Sequence, residues 1–219
     1  MKQLFQDLAK GETYFEEIPI PAISDQEILI STTFSLISSG TERSLINFSK
    51  SSYIKKATMQ PEKVKQVIDK AKNDGFKSAF EAVQSRLSQP LPLGYCNVGR
   101  VIKVGNGVKG FYPGDRVVSN GPHAEFVAVS KNLCAKIPNN VSDEEAAFTV
   151  LGSIGLQSVR LFNPTFGEKV LVSGLGVIGL LTSQILIANG CDVIGIDPDM
   201  KKCQIAKKLG IDSFHLTEK

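Results

Sequence analysis

Three glycines and one acid in the C-terminal third have the spacing of a phosphate-binding turn. Gly174, Gly176 and Gly179 follow a short β-branched run at 170–172, and Asp197 ends a second apolar run 18 positions after Gly179. This order of strand, glycine turn, helix, strand and carboxylate is typical of a dinucleotide site. An ordinary βαβ turn without a ligand is the alternative, and the complete order of features favours the site.

Each residue type in this stretch has a physical role. Gly174 allows a tight turn off the strand, Gly176 lets a pyrophosphate approach the backbone, and Gly179 lets the helix pack close to the sheet. The helix start offers free N–H groups and a positive dipole end to the phosphates. The residues predicted to bind the dinucleotide are Gly174, Leu175, Gly176, Val177, Ile178, Gly179, Asp197 and Lys201.

The carboxylate of Asp197 predicts which dinucleotide binds. It can accept hydrogen bonds from both ribose hydroxyls and would repel a 2′-phosphate, so we expect NAD rather than NADP. No arginine adjoins Asp197, and in the segment 198–201 only Lys201 could support a phosphate.

Composition excludes several classes of protein. The 219 residues are 42% hydrophobic and 21% charged, with a formal net charge of +3, which is too small and too scattered to predict nucleic-acid binding. The apolar stretch 177–188 is too short and too polar to span a membrane, and the N-terminus has no apolar signal core. We therefore expect a cytoplasmic protein.

The cysteines predict neither a zinc knuckle nor a disulfide framework. Cys96, Cys134, Cys191 and Cys203 form no CxxC pair and are separated by long, irregular gaps. Reduced and mostly buried thiols are the simpler interpretation.

The first half of the chain reads as a β domain interrupted by helices. Residues 13–37 alternate like an antiparallel sheet, and 38–43 form a polar loop. Pro61 begins a helix that Gly75 ends, and a capping box at 78–81 begins a second helix. The apolar stripes of this helical hairpin are predicted to pack in the core rather than to bind a partner, and its lysines to face solvent. The stripes are Val64, Val67, Ile68 and Ala71 on the first helix and Phe80, Val83 and Leu87 on the second.

The second half changes from strands to alternating helices and strands. Strands are predicted at 100–104, 116–118 and 123–129. A capping box of Ser142 and Glu145 begins a helix that continues towards Leu161. After Asp197, a helix is predicted at 199–209 with Gly210 as its end, followed by the start of a third strand at 211–216.

Several motifs then occur together in one order. They are Ser39-Gly-Thr-Glu42, Pro92-Leu-Gly-Tyr95, Val98-Gly-Arg-Val101, Gly114-Asp-Arg-Val117, His123-Ala-Glu-Phe126, Glu144-Glu-Ala-Ala147 and the glycine stretch 174–179. This combination resembles the medium-chain dehydrogenase/reductase superfamily and, more narrowly, the amino-terminal half of bi-domain oxidoreductases. The resemblance implies an α/β chain: a GroES-like β domain at 1–145 with a helical insert at 58–89, then a bridging helix and a truncated Rossmann domain at 146–219.

Departures from the zinc-dependent members predict a site without metal. Where those members have Cys-Gly-Thr-Asp and Gly-His-Glu, this chain has Ser39 and Tyr95 at two ligand positions, and neither is a good zinc donor at neutral pH. Cys96 and His123 remain as potential ligands, but two ligands without a third do not hold zinc. Histidine 123 is interpreted either as a packed, hydrogen-bonded side chain or as an acid/base.

The resemblance implies an NAD-linked oxidoreductase without zinc that acts on a small alcohol or carbonyl substrate, with a sugar-related compound as one option. The candidates for oxyanion stabilisation or proton transfer are Ser39, Thr41, Tyr95 and His123, and the choice among them stays open. Glu42 is interpreted as structural. A non-catalytic dinucleotide-binding or docking module is the alternative function.

The chain also supplies only one half of a dinucleotide fold. We therefore expect an inactive fragment that requires further sequence for turnover, with either a missing C-terminal domain or a second copy of the chain as partner.

Overall fold

The computed structural model describes residues 1–59, 61–75, 77–78, 81, 83, 85 and 88–217. Over these residues the chain divides into two compact units, Met1–Ala147 and Phe148–Lys219. The first is a β unit with helices inserted and the second is an α/β unit, which confirms the predicted fold class.

The first unit is built from two antiparallel sheets. The strands of the smaller sheet are β1 (Lys2–Gln6), β2 (Thr13–Glu17) and β4 (Leu91–Pro92). Those of the larger sheet are β3 (Glu27–Ser35), β5 (Asn97–Val104), β6 (Arg116–Ser119), β7 (Phe126–Ser130) and β8 (Cys134–Lys136). The smaller sheet has the order β2-β1-β4, and the larger has the order β7-β3-β5-β6-β8.

Alternation along the strands explains where the core of this unit lies. Ile28 and Ile30 point to one face of β3 and are fully buried, as the period of two along a strand requires. They pack with five further buried residues, which are Val101, Val117, Ala124, Val127 and Val129. Strands β1 and β8, which carry little apolar alternation, were not predicted from the sequence.

The segment after β3 corrects the predicted polar loop. Residues 41–43 belong to helix α1 (Thr41–Lys50), which is followed by α2 (Tyr53–Met59). The buried residues of α1 are Glu42 and Ser49, and the hydroxyl of Ser49 accepts a hydrogen bond from the Gln6 amide at 2.9 Å. A helix that buries polar side chains shows no apolar periodicity, so its sequence resembles a loop.

The predicted helical insert is confirmed in its first helix. Helix α3 (Pro61–Asp74) begins at the predicted proline and ends before Gly75, which has a φ of +86°. Val64 and Val67 are half-buried, whereas Ile68 is 49% exposed, so the predicted core face is only partly covered. The prediction for the second helix rests in part on Phe80 and Leu87, which lie outside the described residues.

A short helix closes the first unit. Helix α4 (Asp143–Ala146) has the predicted capping box: the Ser142 hydroxyl accepts from the Glu145 N–H, and the Glu145 carboxylate accepts from the Ser142 N–H. The single helix predicted from Ser142 to Leu161 is in fact two helices, because α5 (Thr149–Phe162) begins separately.

The second unit is a parallel α/β layer. Its described strands are β9 (Lys169–Ser173), β10 (Asp192–Asp197) and β11 (Asp212–His215), in the order β11-β10-β9 and parallel throughout. Helices α6 (Val177–Ala188) and α7 (Met200–Lys208) are the crossovers between them. The predicted third strand is therefore present.

The core of the second unit is continuous. Nine buried side chains form it, and they are Val159, Val170, Leu175, Leu186, Cys191, Val193, Cys203, Ala206 and Ile211. Among the helices that the structure describes, none is both long enough and apolar enough to cross a membrane.

Candidate functional site

The glycine turn lies between β9 and α6, with a different constraint at each glycine. Gly174 has a φ of +93°, in the left-handed region that favours glycine. A Cβ on Gly179 would lie 1.9 Å from the Gly174 carbonyl oxygen, so the helix touches the turn at this point. A Cβ on Gly176 would meet no atom within 4 Å, so this position faces open space.

The start of α6 is free to receive an anion. Gly176 is its N-cap, and no side chain caps the first turn. The N–H groups of a first helical turn have no partner inside the helix, and the helix dipole places positive charge there. The turn residues Leu175, Val177 and Ile178 thus surround a backbone cradle, and the residues present fit a pyrophosphate.

Asp197 holds the turn in place from the end of β10. Its side chain is 3% exposed. One carboxylate oxygen accepts from the N–H of Leu175 at 2.8 Å, and the other accepts from the N–H of Asp199 at 2.8 Å. The acid therefore joins the end of β10 to the glycine turn, a role that the sequence analysis did not predict.

A lysine adjoins this acid, but it is not the predicted one. The Lys202 ammonium lies 3.4 Å and 3.5 Å from the two oxygens of Asp197, whereas the backbone N–H of Lys201 binds Asp199. Burial raises the pKa of Asp197, but the hydrogen bonds from Asp199 and Leu175 and the charge of Lys202 outweigh it. The pKa therefore lies below its usual range, and the group is an anion at neutral pH.

A second polar cluster lies in the first unit around His123. The side chain of His123 is 8% exposed and that of Glu42 is 7% exposed. The Nε2 atom of His123 is 3.0 Å from a carboxylate oxygen of Glu42, and the Nδ1 atom is 2.8 Å from the hydroxyl of Ser35. Both imidazole nitrogens therefore have a partner.

The backbone fixes the position of this imidazole. The N–H of His123 donates to the Leu93 carbonyl at 2.7 Å, and its carbonyl accepts from the Leu4 N–H at 2.9 Å. Gly94 has a φ of +91°, and a Cβ there would lie 2.6 Å from two ring atoms of His123. The ring therefore packs directly on the Gly94 backbone, and a larger residue would displace it.

The structure brings the predicted catalytic candidates towards His123 only in part. Ser39 and Thr41 are exposed and flank the turn into α1, where Glu42 contacts His123. Tyr95 is half-buried and follows Gly94. In the described part of the chain, no hydrogen bond joins Ser39, Thr41 or Tyr95 to His123.

Few of the described side chains are placed where they could bind a metal ion together. Cys96 is fully buried, and the described residues contain no group of three histidine, cysteine or acidic side chains placed to hold a metal ion. Glu42 and His123 contact each other, and two such groups do not make a zinc site.

Sequence reasoning missed Ser35 and Lys202, and it interpreted Glu42 only as structural. Ser35 and Glu42 lie 88 and 81 positions from His123, so no local pattern joins them. Lys202 lies five positions after Asp197, within the first turn of the following helix, where a basic side chain can reach back to the acid. A search for basic residues in that turn would have found it.

Known proteins resemble this chain in both sequence and fold. The sequence matches the alcohol dehydrogenase GroES-like domain over residues 70–173. Sorbitol dehydrogenase of Bos taurus is 30% identical over a match that covers 58% of this chain and 44% of that protein. D-guloside 3-dehydrogenase of Escherichia coli (strain K12) is 35% identical over 55% of this chain and 35% of that protein. This chain thus spans less than half the length of either relative.

Solved structures share the fold at lower identity. Galactitol-1-phosphate dehydrogenase from Escherichia coli superposes with a TM-score of 0.74 at 21% identity, and the match covers 98% of this chain and 61% of that one. Alcohol dehydrogenase TADH from Thermus sp. ATN1 gives a TM-score of 0.73 at 18% identity, covering 98% of this chain and 63% of that one.

Proposed function

Because this chain belongs to the medium-chain dehydrogenase/reductase superfamily, we propose that it is the dinucleotide-binding part of an NAD-dependent oxidoreductase acting on an alcohol or carbonyl. The names of the relatives, sorbitol dehydrogenase and D-guloside 3-dehydrogenase, motivate a sugar alcohol or glycoside as the substrate class. When bound, a nicotinamide dinucleotide supplies the hydride acceptor for such a reaction.

The glycine turn carries this proposal. Gly174 permits the left-handed turn, Gly179 permits contact between helix and turn, and Gly176 leaves open space at the uncapped start of α6. A turn that served only to connect β9 and α6 would not require a glycine at the open position. The pyrophosphate is assigned to the N–H groups around Gly176.

The preference for NAD is proposed from Asp197. Each carboxylate oxygen has two lone pairs, of which one accepts from the N–H of Leu175 or Asp199 and the other faces the Lys202 ammonium at 3.4–3.5 Å. Ribose hydroxyls would take the acceptor positions that now face Lys202. The anion would repel a 2′-phosphate. The adjacent ammonium of Lys202 would attract a 2′-phosphate. A preference for NAD therefore requires that the repulsion by Asp197 exceed this attraction.

We further propose that the reaction uses no zinc. Ser39 and Tyr95 stand at positions where a metal-dependent relative would need ligands, and Cys96 is enclosed in the core. Proton transfer and oxyanion stabilisation then fall to hydroxyl and imidazole groups, with Ser39, Thr41, Tyr95 and His123 as candidates.

The described sheet of the second unit supports the adenosine end of this site. Three parallel strands with the glycine turn after the first of them are the arrangement that binds adenosine and pyrophosphate in a dinucleotide fold.

Isothermal titration with NAD and NADP tests the proposal. NAD should bind about tenfold more tightly than NADP, and Asp197→Asn should narrow this difference, because it removes the charge while keeping one acceptor oxygen. Asp192→Asn, at the exposed start of the same strand, is the matched control and should leave both affinities unchanged.

The outcomes separate the alternatives. Equal affinities for the two cofactors would overturn the NAD assignment, and no binding of either would overturn the dinucleotide site. Binding that never supports NADH formation from sorbitol or a glycoside would favour a docking module over an enzyme.

A further inference from the structure

The Ser35–His123–Glu42 cluster extends from a buried acid, Glu42, to an exposed serine, Ser35. The side chains of Glu42 and His123 are both buried, whereas Ser35 lies at the exposed end of β3. The pairing register of β3 with β5 shifts between Thr32 and Phe34, just before Ser35. Such irregularities redirect side chains at the ends of strands.

The hydrogen bonds of Glu42 determine the tautomer of His123. One carboxylate oxygen of Glu42 accepts from the Ser38 N–H at 2.7 Å, and the other faces Nε2 of His123 at 3.0 Å. A carboxylate accepts hydrogen bonds and does not donate them, so Nε2 carries the proton. The lone pair of Nδ1 then faces the hydroxyl of Ser35 at 2.8 Å, which makes Ser35 the donor.

We propose that Ser35, His123 and Glu42 form a proton relay that acts as a general base through the Ser35 hydroxyl. The arrangement of hydroxyl, imidazole and carboxylate is the one by which imidazole bases activate hydroxyl groups. A buried histidine with two satisfied nitrogens would serve packing equally well, but packing does not require that one partner be an exposed serine.

The substrate of this relay is the alcohol of the proposed function, so this step rests on that proposal. The hydroxyl of an alcohol gives its proton to Oγ of Ser35 as the Ser35 proton passes to Nδ1 of His123, and Glu42 stabilises the imidazolium through Nε2–H. The carbon that bears this hydroxyl would lose its hydrogen as hydride, and a nicotinamide dinucleotide, when bound, would supply the two-electron acceptor. The alcohol would thereby lose its O–H and C–H bonds and become a carbonyl.

Gly94 is a positioning residue for this relay. A Cβ at Gly94 would overlap the ring of His123, so Gly94→Ala should displace the imidazole without removing any group that carries a proton. Its φ of +91° adds backbone strain to any substitution, so stability must be measured in parallel.

Two measurements on the intact chain test the relay without any cofactor. The chain contains two histidines, so long-range ¹H–¹⁵N spectra can be assigned with a His215→Gln variant. We expect the Nε2–H tautomer at His123. Glu42→Gln should reverse it, because an amide NH₂ facing Nε2 donates and leaves the proton on Nδ1.

Reactivity of Ser35 is the second measurement. A fluorophosphonate probe should label Ser35: Oγ bonds to phosphorus, fluoride leaves, and the hydroxyl proton passes to His123. Labelling should fall at least about 100-fold in Glu42→Gln, in line with general-base contributions of about 10²–10⁴. Ser44→Ala, which changes an exposed serine of α1, is the control and should leave labelling of Ser35 unchanged.

These results decide the proposal separately from the dinucleotide site. An Nδ1–H tautomer in the parent chain, or labelling of Ser35 that Glu42→Gln does not slow, would overturn the relay. Unfolding in urea identifies any variant that has lost its fold, and a Ser35→Ala chain that is folded and still labelled would also overturn it. Failure to bind NAD would refute the proposed function while leaving the relay measurements valid.

Discussion

At the scale of single residues, the glycines of the turn differ in what surrounds the position of the absent Cβ. At Gly179 that position is filled by the Gly174 carbonyl oxygen, at 1.9 Å, whereas at Gly176 it is empty to 4 Å. One glycine is therefore required by the fold of the chain, and the other is free for a ligand. The sequence motif alone treats both as equivalent.

We predict that Gly176→Ala weakens NAD binding at least about tenfold while the urea midpoint changes little, because only a bound pyrophosphate needs the space. Gly179→Ala should lower the midpoint as well, since its Cβ collides with backbone. Gly152→Ala, on α5 where a Cβ meets nothing within 4 Å, is the control for a glycine change and should not alter binding. Unchanged NAD affinity in a folded Gly176→Ala chain would contradict the assigned pyrophosphate position.

The thiol of Cys134 gives a second prediction at this scale. Burial raises its pKa to about 12, so almost none of it is thiolate at pH 8. Compared with an ordinary cysteine of pKa about 8.5, its alkylation by iodoacetamide should be about 10³-fold slower in the native chain and normal in urea. Peptide mapping after timed alkylation measures this, and rapid native labelling of Cys134 would show that the site opens.

At the scale of elements, an ion pair attaches the short helix α4 to the large sheet. Arg116 of β6 donates to Asp143 at 2.8 Å and to the Val141 carbonyl at 2.8 Å, and Thr33 of β3 donates to Asp143 at 2.9 Å. A helix of four residues has little stability of its own, so these contacts decide its position.

Acid should weaken this attachment. Burial raises the pKa of Asp143, but hydrogen bonds from Arg116 and Thr33 and the charges of Arg116 and Arg100 outweigh it, so the pKa is lowered. The resulting stabilisation is complete above the unfolded pKa of about 4 and is lost as pH falls through the folded value. We predict that Asp143→Asn costs about 1–3 kcal/mol at pH 7 and much less at pH 3.

Urea unfolding at the two pH values measures this difference. Glu144→Gln is the matched control, because Glu144 is an exposed acid on the same helix with no side-chain hydrogen bond in the described structure. An equal cost of Asp143→Asn at pH 3 and pH 7 would show that the anion does not carry the stabilisation.

At the scale of the whole molecule, several large apolar side chains of the second unit are exposed instead of packed in its core. Leu161 is 78% exposed, Phe166 is 89% exposed, and Leu171 and Phe214, on the two edge strands of its sheet, are 62% and 61% exposed. Unpaired strand edges and apolar patches favour association with other chains.

We therefore predict concentration-dependent self-association of the chain, measured by sedimentation velocity. Leu161→Lys should reduce it, because a lysine in the last turn of α5 removes apolar surface and suits the helix dipole. Ile20→Lys, at a residue of the first unit that is 52% exposed, is the control and should have little effect. If the chain is a monomer at every concentration, its exposed apolar side chains do not cause self-association.

The sequence by itself determined the features that are written within short windows. The glycine turn, both flanking strands, the capping box of Ser142 and the helix end at Gly75 follow from local spacing, because backbone geometry and capping depend on near neighbours. The two-unit organisation of β domain and α/β domain follows from the change in hydrophobic period along the chain.

Tertiary structure alone decided the contacts between distant segments. Glu42 reaches His123 across 81 positions and Ser35 reaches it across 88, so the role of the imidazole could not be read from its neighbours in sequence. The same holds for α1, whose buried face is polar and gives no periodic signal until Gln6 is brought against Ser49. Hydrogen bonds between segments depend on position in space, and local propensity carries no information about their partners.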